Sequence, residues 1–390
     1  MNKVFLRRKI APRVANGHPW IFANEVEKVE GEPAPGEIVE VYYADGKPAG
    51  KGYYNSQSQI IVRLLTRNRA DEITEDWFLK KIEACWKYRQ QIGYTENCRL
   101  VFGEADGLPQ LIIDKFNDYF VIQTLALGID LWKPALVKAL QKVFNPKGIF
   151  ERNDVPVREL EGLPQQKGFL SAPFDTSIII KENGLSFHVD VENGQKTGYF
   201  LDQQDNRRAI RHIVNGADVL GAFTYTGTFE IHAGAYGAKS VLGLDISQNA
   251  VDQANRNAAL NGLEKVVKFV QANAFDVLKQ WGKEDRRWDV VMLDPPAFTK
   301  SRATIQKAIT GYKEINLRGM KLIRPGGFLV TSSCTNLVNP EMFLQTIDMA
   351  AKDARRKIRQ VTFQAQSSDH PIIWGMENTE YLKFLIVQVE

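Results

Sequence analysis

The sequence is poor in several features, and each shortage removes a class of protein. It has three cysteines in 390 residues, Cys85, Cys98 and Cys334, with no paired short spacing. That argues against a disulfide framework and against a zinc knuckle, so no metal site is expected. No apolar run approaches the length of a membrane span. Residues 1–10 are basic but lack the apolar core of a signal peptide, so the expectation is a cytoplasmic protein with no membrane partner. There is no internal repeat, no low-complexity stretch and no G-x-G-x-x-G fingerprint. The missing fingerprint disfavours a pyrophosphate-binding dinucleotide site. Net charge is only +4, which permits nucleic-acid binding without demanding it.

What is present is an ordinary globular composition, 44% hydrophobic and 25% charged. A chain of 390 residues is too long for one core, so two or three domains are expected. We place them at 1–70, 71–175 and 176–390. The first is mainly β, with strand composition at 37–43 and 59–65 punctuated by glycine, proline and asparagine. Arg7, Arg8, Lys9 and Arg13 crowd the N-terminus, followed by His18 and Trp20. Charge alone reads as a solvated tail. Basic groups beside aromatics also suit phosphate contact with base stacking.

The middle segment reads as mixed α+β. Its helices are expected at 76–92, capped by Asp76, and at 132–144. Its strands are expected at 99–102, 111–116, 119–125 and 148–151. The polar loop 103–109 reads as a plain turn, and Asn183-Gly184 as the turn of a hairpin.

From residue 218 strands and helices alternate. Strands are expected at 217–222, 240–244, 266–270, 290–293 and 328–332, and helices include 248–261, 304–323 and 340–351. This alternation predicts a doubly wound, Rossmann-like parallel α/β sheet. Segments 372–374 and 381–389 supply further strands at an antiparallel edge, and the basic run 352–359 is read as an exposed helix face. The strand at 290–293 ends in Asp294-Pro295-Pro296, and two prolines cannot continue a ladder. Asp294 should therefore stand at the carboxyl end of a central strand, the rim where open α/β sheets bind ligands. The strand at 328–332 ends close to Cys334. If the two strands are neighbours, acid and thiol share a rim about 4.8 Å apart.

The first strand of this sheet runs into Phe223-Thr224-Tyr225-Thr226-Gly227, a small turn that lets backbone approach a ligand. Asp245 closes the second strand, placed to accept from ribose hydroxyls, and Asn273 follows the third. Taken together, these features and Asp294 look like a class I methyltransferase that binds S-adenosylmethionine. A lone cysteine is more often a buried small hydrophobe, as expected for Cys85, but Cys334 stands where a strand exits to a polar rim. A thiolate adding to C6 of a pyrimidine activates C5 for methylation, whereas a ring nitrogen has its own lone pair and needs no such help.

Gly17-His18-Pro19-Trp20-Ile21-Phe22, followed by Pro35-Gly36-Glu37, resembles the start of a PUA domain, an RNA-binding β-barrel. Gly194-Gln195-Lys196-Thr197-Gly198-Tyr199-Phe200-Leu201-Asp202-Gln203, with Asn206-Arg207-Arg208 beyond, makes the resemblance specific. Over nearly its whole length the chain is similar to the bacterial ribosomal RNA large-subunit methyltransferase I family, makers of 5-methylcytosine. The resemblance implies ribosomal RNA as partner and S-adenosylmethionine as cofactor, held by Lys196, Gly198, Gln203, Phe223, Tyr225, Thr226, Gly227, Asp245, Asn273 and Asp294. It implies chemistry at Asp294 and Cys334, and RNA contact through Arg7, Arg8, Lys9, Arg13, His18 and Trp20. Read from the residues, the 196–198 stretch is a tight polar turn before a helix capped near Asp202, and Lys196 or Arg207 could pair with the methionine carboxylate.

The chain departs from the family pattern at Gln204, at Gly221-Ala222 and Ala272-Asn273, which are less polar than some counterparts, and at Ala297, where many RNA 5-methylcytosine enzymes carry a second cysteine. Two alternatives stand beside the main reading: methylation of a base nitrogen such as guanine's, and a non-catalytic RNA-binding relative. The sequence leaves oligomeric state open, a homodimer included.

Overall fold

The apolar runs after residue 218 form the sheet that carries the rest of the C-terminal half. The computed structural model describes residues 1–9, 12–299 and 301–390. Its strands are β1 (Asp218–Ala222), β2 (Ser240–Asp245), β3 (Val267–Gln271), β4 (Trp288–Leu293), β5 (Ile323–Ser333), β6 (Ile358–Gln364) and β7 (Lys383–Val389). They lie in the order β3-β2-β1-β4-β5-β7-β6. The first five are parallel, and β7 runs antiparallel to both β5 and β6. Strand order reverses between β1 and β4, which opens a crevice at their carboxyl ends.

Five helices make the crossovers: α1 (Thr228–Ala235), α2 (Gln248–Leu260), α3 (Ala274–Lys283), α4 (Ile305–Lys321) and α5 (Pro340–Asp353). Side chains fix several of their starts. Ser247 accepts from Ala250 N–H, Asn273 from Phe275 N–H and Asn339 from Met342 N–H. Such caps contribute about 1 kcal/mol each. Tyr312, Ile315, Phe343 and Ile347 of α4 and α5 pack on Leu220, Val291, Leu329 and Val387 of the sheet, all nearly inaccessible to solvent. β1, β4 and β5 are covered on both faces, which is why their sequences read as continuous apolar runs.

The chain divides into two units. One is Met1–Ile180, Val189–Leu201 and Ser368–Thr379; the other is Lys181–His188, Asp202–Ser367 and Glu380–Glu390. In the first unit a six-stranded sheet is built from Lys3–Leu6 through Ile60–Thr66, around Val4, Leu6, Ile21, Val39, Val41 and Val62. Alternate residues of Ile38–Tyr42 are buried, the period expected of a strand with one wet face. A five-stranded sheet follows, covered by helices Glu75–Gln91 and Lys133–Phe144. Ion pairs are locked inside this unit, among them Arg63 on Glu161, Arg89 on Asp106 and Arg99 on Asp114. At Asn183 and Gly184 both φ angles are positive, 52° and 85°, as a two-residue hairpin turn requires.

Several local expectations fail for identifiable reasons. Thr74, not Asp76, caps the helix Glu75–Gln91, and Asp76 lies in its first turn, where its charge faces the helix dipole. Residues 103–109 are not a plain turn. Gly103–Asp106 is a 3-10 helix whose Asp106 grips Arg89 and whose Glu104 takes the Trp20 indole N–H. The basic run 352–359 is not a helix face, because α5 ends at Asp353 and β6 begins at Ile358. Residues 372–374 form no strand. Asp202 caps no helix; its carboxylate accepts from the Tyr381 hydroxyl at 2.6 Å.

The buried His232 of α1 makes the fold pH-sensitive. Burial lowers its pKa to about 4 from 6.5, despite Glu182 at 3.6 Å. The unfolded chain takes up this proton below about pH 6.5 and the folded chain only near pH 4. The His232 contribution to stability should therefore fall as pH drops through that window, by roughly 3 kcal/mol in all, while the buried Glu230, raised to about 8, acts in the opposite sense. Urea unfolding of the wild type and of His232→Gln at stepped pH isolates it: relative to the variant, the wild type should lose stability as pH falls from 6.5 to about 4.

Candidate active site

The carboxyl ends of β1, β2, β4 and β5 meet at one rim. After β1 the chain turns through positive φ at Phe223 (65°), Tyr225 (48°) and Gly227 (79°). The two non-glycine residues cost on the order of 1–3 kcal/mol each unless their surroundings hold them. Three hydrogen bonds do so. Phe223 and Thr224 N–H donate to Leu244 O, and Tyr225 N–H donates to Asp245 Oδ2 at 2.8 Å. Gly227 has a second reason to lack a side chain, since a Cβ there would sit 2.3 Å from Phe269 Cζ. Asp245 thus holds the β1 turn with one oxygen and takes Ser247 N–H with the other at 2.9 Å. Each oxygen keeps a lone pair for a hydroxyl donor.

Asp294 follows β4, half-buried, with its N–H donating to Ala222 O. Its carboxylate accepts from the Ser332 hydroxyl of β5 and from Gln203 Nε2 at 3.1 Å. Gln203 is oriented in turn: its Oε1 accepts from Asn206 Nδ2, and Asn206 Oδ1 accepts from Gln364 Nε2, both at 2.6 Å. A carboxylate only accepts, so the amides line up with their donors directed toward Asp294.

Leu293 lies opposite Thr331 in the β4–β5 ladder, so Asp294 and Cys334 emerge on the same rim from neighbouring strands. Cys334 is half-buried, and no described cysteine is in a disulfide. Lys383 of β7 lies opposite Ser333. Its Nζ donates to Thr335 O at 2.7 Å and Tyr381 O at 2.8 Å, which holds the buried amine against the chain at Cys334. Burial lowers the Lys383 pKa to about 8, and Cys334 beside it acts in the opposite sense. The Tyr312 hydroxyl closes this side, 2.7 Å from Thr335 Oγ1.

Other expected residues fall elsewhere or are already engaged. Arg207 does not face the rim as a free cation; it is buried in a bidentate pair with Glu182 at 2.5 and 2.7 Å. Asn273 uses its Oδ1 to cap α3. Lys196 and Gly198 belong to the first unit. Lys196 has φ 52° and its amine lies 4.7 Å from the Phe200 ring centre, while a Cβ on Gly198 would meet Asp190 O at 2.7 Å. Of the basic N-terminal group, Arg13 is bound to Glu25 and to Trp20 O, and Arg7 donates to Val26 O. Trp20 donates to Glu104, and His18 lies 3.3 Å from Asn378. Arg7, Arg8 and Lys9 are the exposed members.

Sequence reading missed Ser332, Asn206, Gln364, Tyr312, Lys383 and Glu230. The spacing of Gln203 and Asn206, one helical turn apart, is a signal that could have found one of them. The others come from distant segments with no local mark.

Comparison with known proteins fits this geometry. Residues 4–67 match the PUA-like domain family and residues 166–371 the S-adenosylmethionine-dependent methyltransferase family. Ribosomal RNA large subunit methyltransferase I of Shewanella amazonensis is 40% identical over 381 residues, covering 95% of each chain. The protein of that name from Aeromonas salmonicida is 38% identical over 377 residues, again covering 95% of each. A solved protein, SMU.776, described as a methyltransferase and complexed with SAH, shares the fold over 100% of both chains at a TM-score of 0.85 and 19% identity.

The rim fits such a cofactor. Thr224 Oγ1, Thr226 Oγ1, Thr331 Oγ1 and Glu230 Oε2 are buried without a hydrogen-bond partner among the described residues. Polar atoms left so are rare in folded proteins, and these match a ligand rich in hydroxyl and amino groups. Two carboxylates, Asp245 and Asp294, would repel a pyrophosphate but suit a cationic nucleoside.

The setting of Cys334 gives a reactivity prediction. Cys85 and Cys98 are buried, and burial pushes both thiols up, Cys85 to about 12. Iodoacetamide at pH 7 should therefore alkylate Cys334 first. An adjacent ammonium favours the thiolate, so Lys383→Met should slow that alkylation several-fold. Peptide mass spectrometry follows the rate; an unchanged rate would separate Lys383 from the thiol's reactivity.

Proposed function

We propose, from the premise that the chain belongs to the S-adenosylmethionine-dependent ribosomal RNA large subunit methyltransferase I family, that it methylates cytosine C5 in large-subunit ribosomal RNA through a covalent adduct at Cys334. The observation that carries this reading is the β4–β5 register, with Asp294 and Cys334 leaving adjacent strand ends and Ser332 binding Asp294 between them. Transfer to a ring nitrogen would give the thiol no task.

S-adenosylmethionine, when bound, supplies an electrophilic methyl group. Cys334 Sγ adds to C6 of the cytosine, forming a C6–S bond and making C5 nucleophilic. Asp294 holds the ring at N3 and, acting as a general acid, gives N3 a proton as the thiolate adds, so that C5 takes the methyl with S-adenosylhomocysteine as leaving group; it takes the proton back as the ring is restored. The Gln364–Asn206–Gln203 chain and Ser332 fix that carboxylate before substrate arrives. A base then removes the C5 proton, the C6–S bond breaks and the thiolate returns. Ala297 stands where a second cysteine would assist release, so one thiol carries both addition and departure.

Asp245 is assigned to the ribose hydroxyls. Phe223, Tyr225, Thr226 and Gly227 form the wall the cofactor approaches, and Asn273 lies on the adenine side. Lys196, Gly198 and Gln203 are assigned to the cofactor as well. The three-domain division at 1–70, 71–175 and 176–390 gives the first segment the RNA, through Arg7, Arg8 and Lys9 with Arg13, His18 and Trp20 supporting. Lys196 takes the methionine carboxylate, the task Arg207 does not perform because Glu182 occupies it.

Two measurements test this. Cys334→Ala should reduce methyl transfer to background while S-adenosylhomocysteine still binds, and mass spectrometry of digested RNA should identify 5-methylcytidine as the wild-type product. Full turnover by the variant, or an N-methylated base as product, would overturn the reading. Replacing Arg7, Arg8 and Lys9 with alanine should weaken RNA binding and flatten its salt dependence. The slope should fall by roughly 0.7–0.9 for each phosphate that is no longer neutralised. Cofactor affinity should not change.

A further inference from the structure

Gly221 lies on β1 one residue from its carboxyl end. The space its side chain would fill already holds a carboxyl. A Cβ built on Gly221 lies 1.9 Å from Glu230 Oε1, 2.7 Å from its Cδ and 2.8 Å from its Cγ. Those are its three nearest atoms, so the closest obstacle to a side chain there is Glu230. The φ of Gly221 is not in the positive range. The glycine serves the packing of α1 against β1 and not an unusual backbone.

Glu230 is 2% exposed, and its Oε2 has no hydrogen-bond partner among the described residues. The charged groups around it are Asp294 at the end of β4, Asp245 at the end of β2, and Arg207. The two acids repel it, and the arginine is engaged by Glu182. A buried carboxyl so placed is costly unless a ligand supplies the missing donor.

We propose that Glu230 binds the α-ammonium of S-adenosylmethionine, with its carboxyl set from α1 beside Gly221 of β1. Once ionised, the unpartnered oxygen needs an N–H or O–H donor. The sulfonium has none, and the ribose hydroxyls are assigned to Asp245. The ammonium offers three donors and the opposite charge. This rests on the cofactor and not on which base is methylated.

The free protein should keep Glu230 largely protonated at neutral pH, because burial first, then Asp294 and Asp245, raise its pKa to about 8. An ammonium reverses that preference, so cofactor binding near pH 7 should release a proton.

Titration calorimetry on the full chain tests this with three ligands: S-adenosylmethionine, S-adenosylhomocysteine and 5′-methylthioadenosine, which lacks the amino-acid part. Glu230→Gln should lower affinity about tenfold or more for the first two and leave the third unchanged. Proton release, measured in buffers of different ionisation enthalpy, should vanish in the variant. Gly221→Asp combined with Glu230→Ala should recover S-adenosylhomocysteine binding over Glu230→Ala alone, since the three atoms nearest a Cβ at position 221 belong to Glu230. Equal weakening for all three ligands, or none for the first two, would overturn the assignment. Failure of the cytosine-C5 reading would leave these titrations unaltered.

Discussion

Negative charge gathered at one rim of a parallel sheet is the constraint on which this structure depends. Asp245, Asp294 and Glu230 come from β2, the β4 exit and α1, and burial makes their mutual repulsion effective. A folded chain tolerates this only if each carboxyl is held by donors or neutralised. Asp245 takes backbone N–H groups, Asp294 takes a hydroxyl and an amide, and Glu230 resists ionisation. The strained turn after β1 belongs to the same arrangement, because the bond from Tyr225 N–H binds its conformation to Asp245.

Under the proposed reaction the rim divides into a cofactor side, with Asp245, Glu230 and the Phe223–Gly227 turn, and a substrate side, with Cys334, Lys383 and Tyr312. Asp294 lies where the strand order reverses, between them. Such a division suits transfer between two bound molecules, since each is oriented by groups that do not compete for it.

Much of this was legible in the sequence, for physical reasons. A strand buried on both faces must be apolar throughout, and proline cannot extend a ladder, so β4 and Asp294 declare themselves in residues 290–296. The Phe223–Gly227 turn and Asp245 are legible because close backbone approach and a strand-end acid leave local marks. The supporting groups leave none. Gln364 and Lys383 read as ordinary polar residues of edge strands until pairing brings them to the rim. Glu230 reads as a helix residue, because nothing local shows that Gly221 leaves room for it. Arg207 was misread because its partner, Glu182, lies 25 positions away on a hairpin. Thr74 and Asp76 are both able caps, and only backbone geometry chooses between them.

The amide chain from Gln364 through Asn206 and Gln203 to Asp294 has a consequence for modularity. In most open sheets the outermost strands are the most expendable, trimmed or exchanged among descendants at little cost to the centre. Here β6 anchors the far end of that chain, and β7 supplies the amine that bridges the backbone at Cys334. Removing or replacing the two terminal strands would leave the apolar interior of β1, β4 and β5 largely able to form, yet detune both an acid and a thiol more than a strand's width away. This edge and the rim at Asp294 and Cys334 therefore form one structural piece, and grafting that rim onto a shorter sheet would have to carry the edge along.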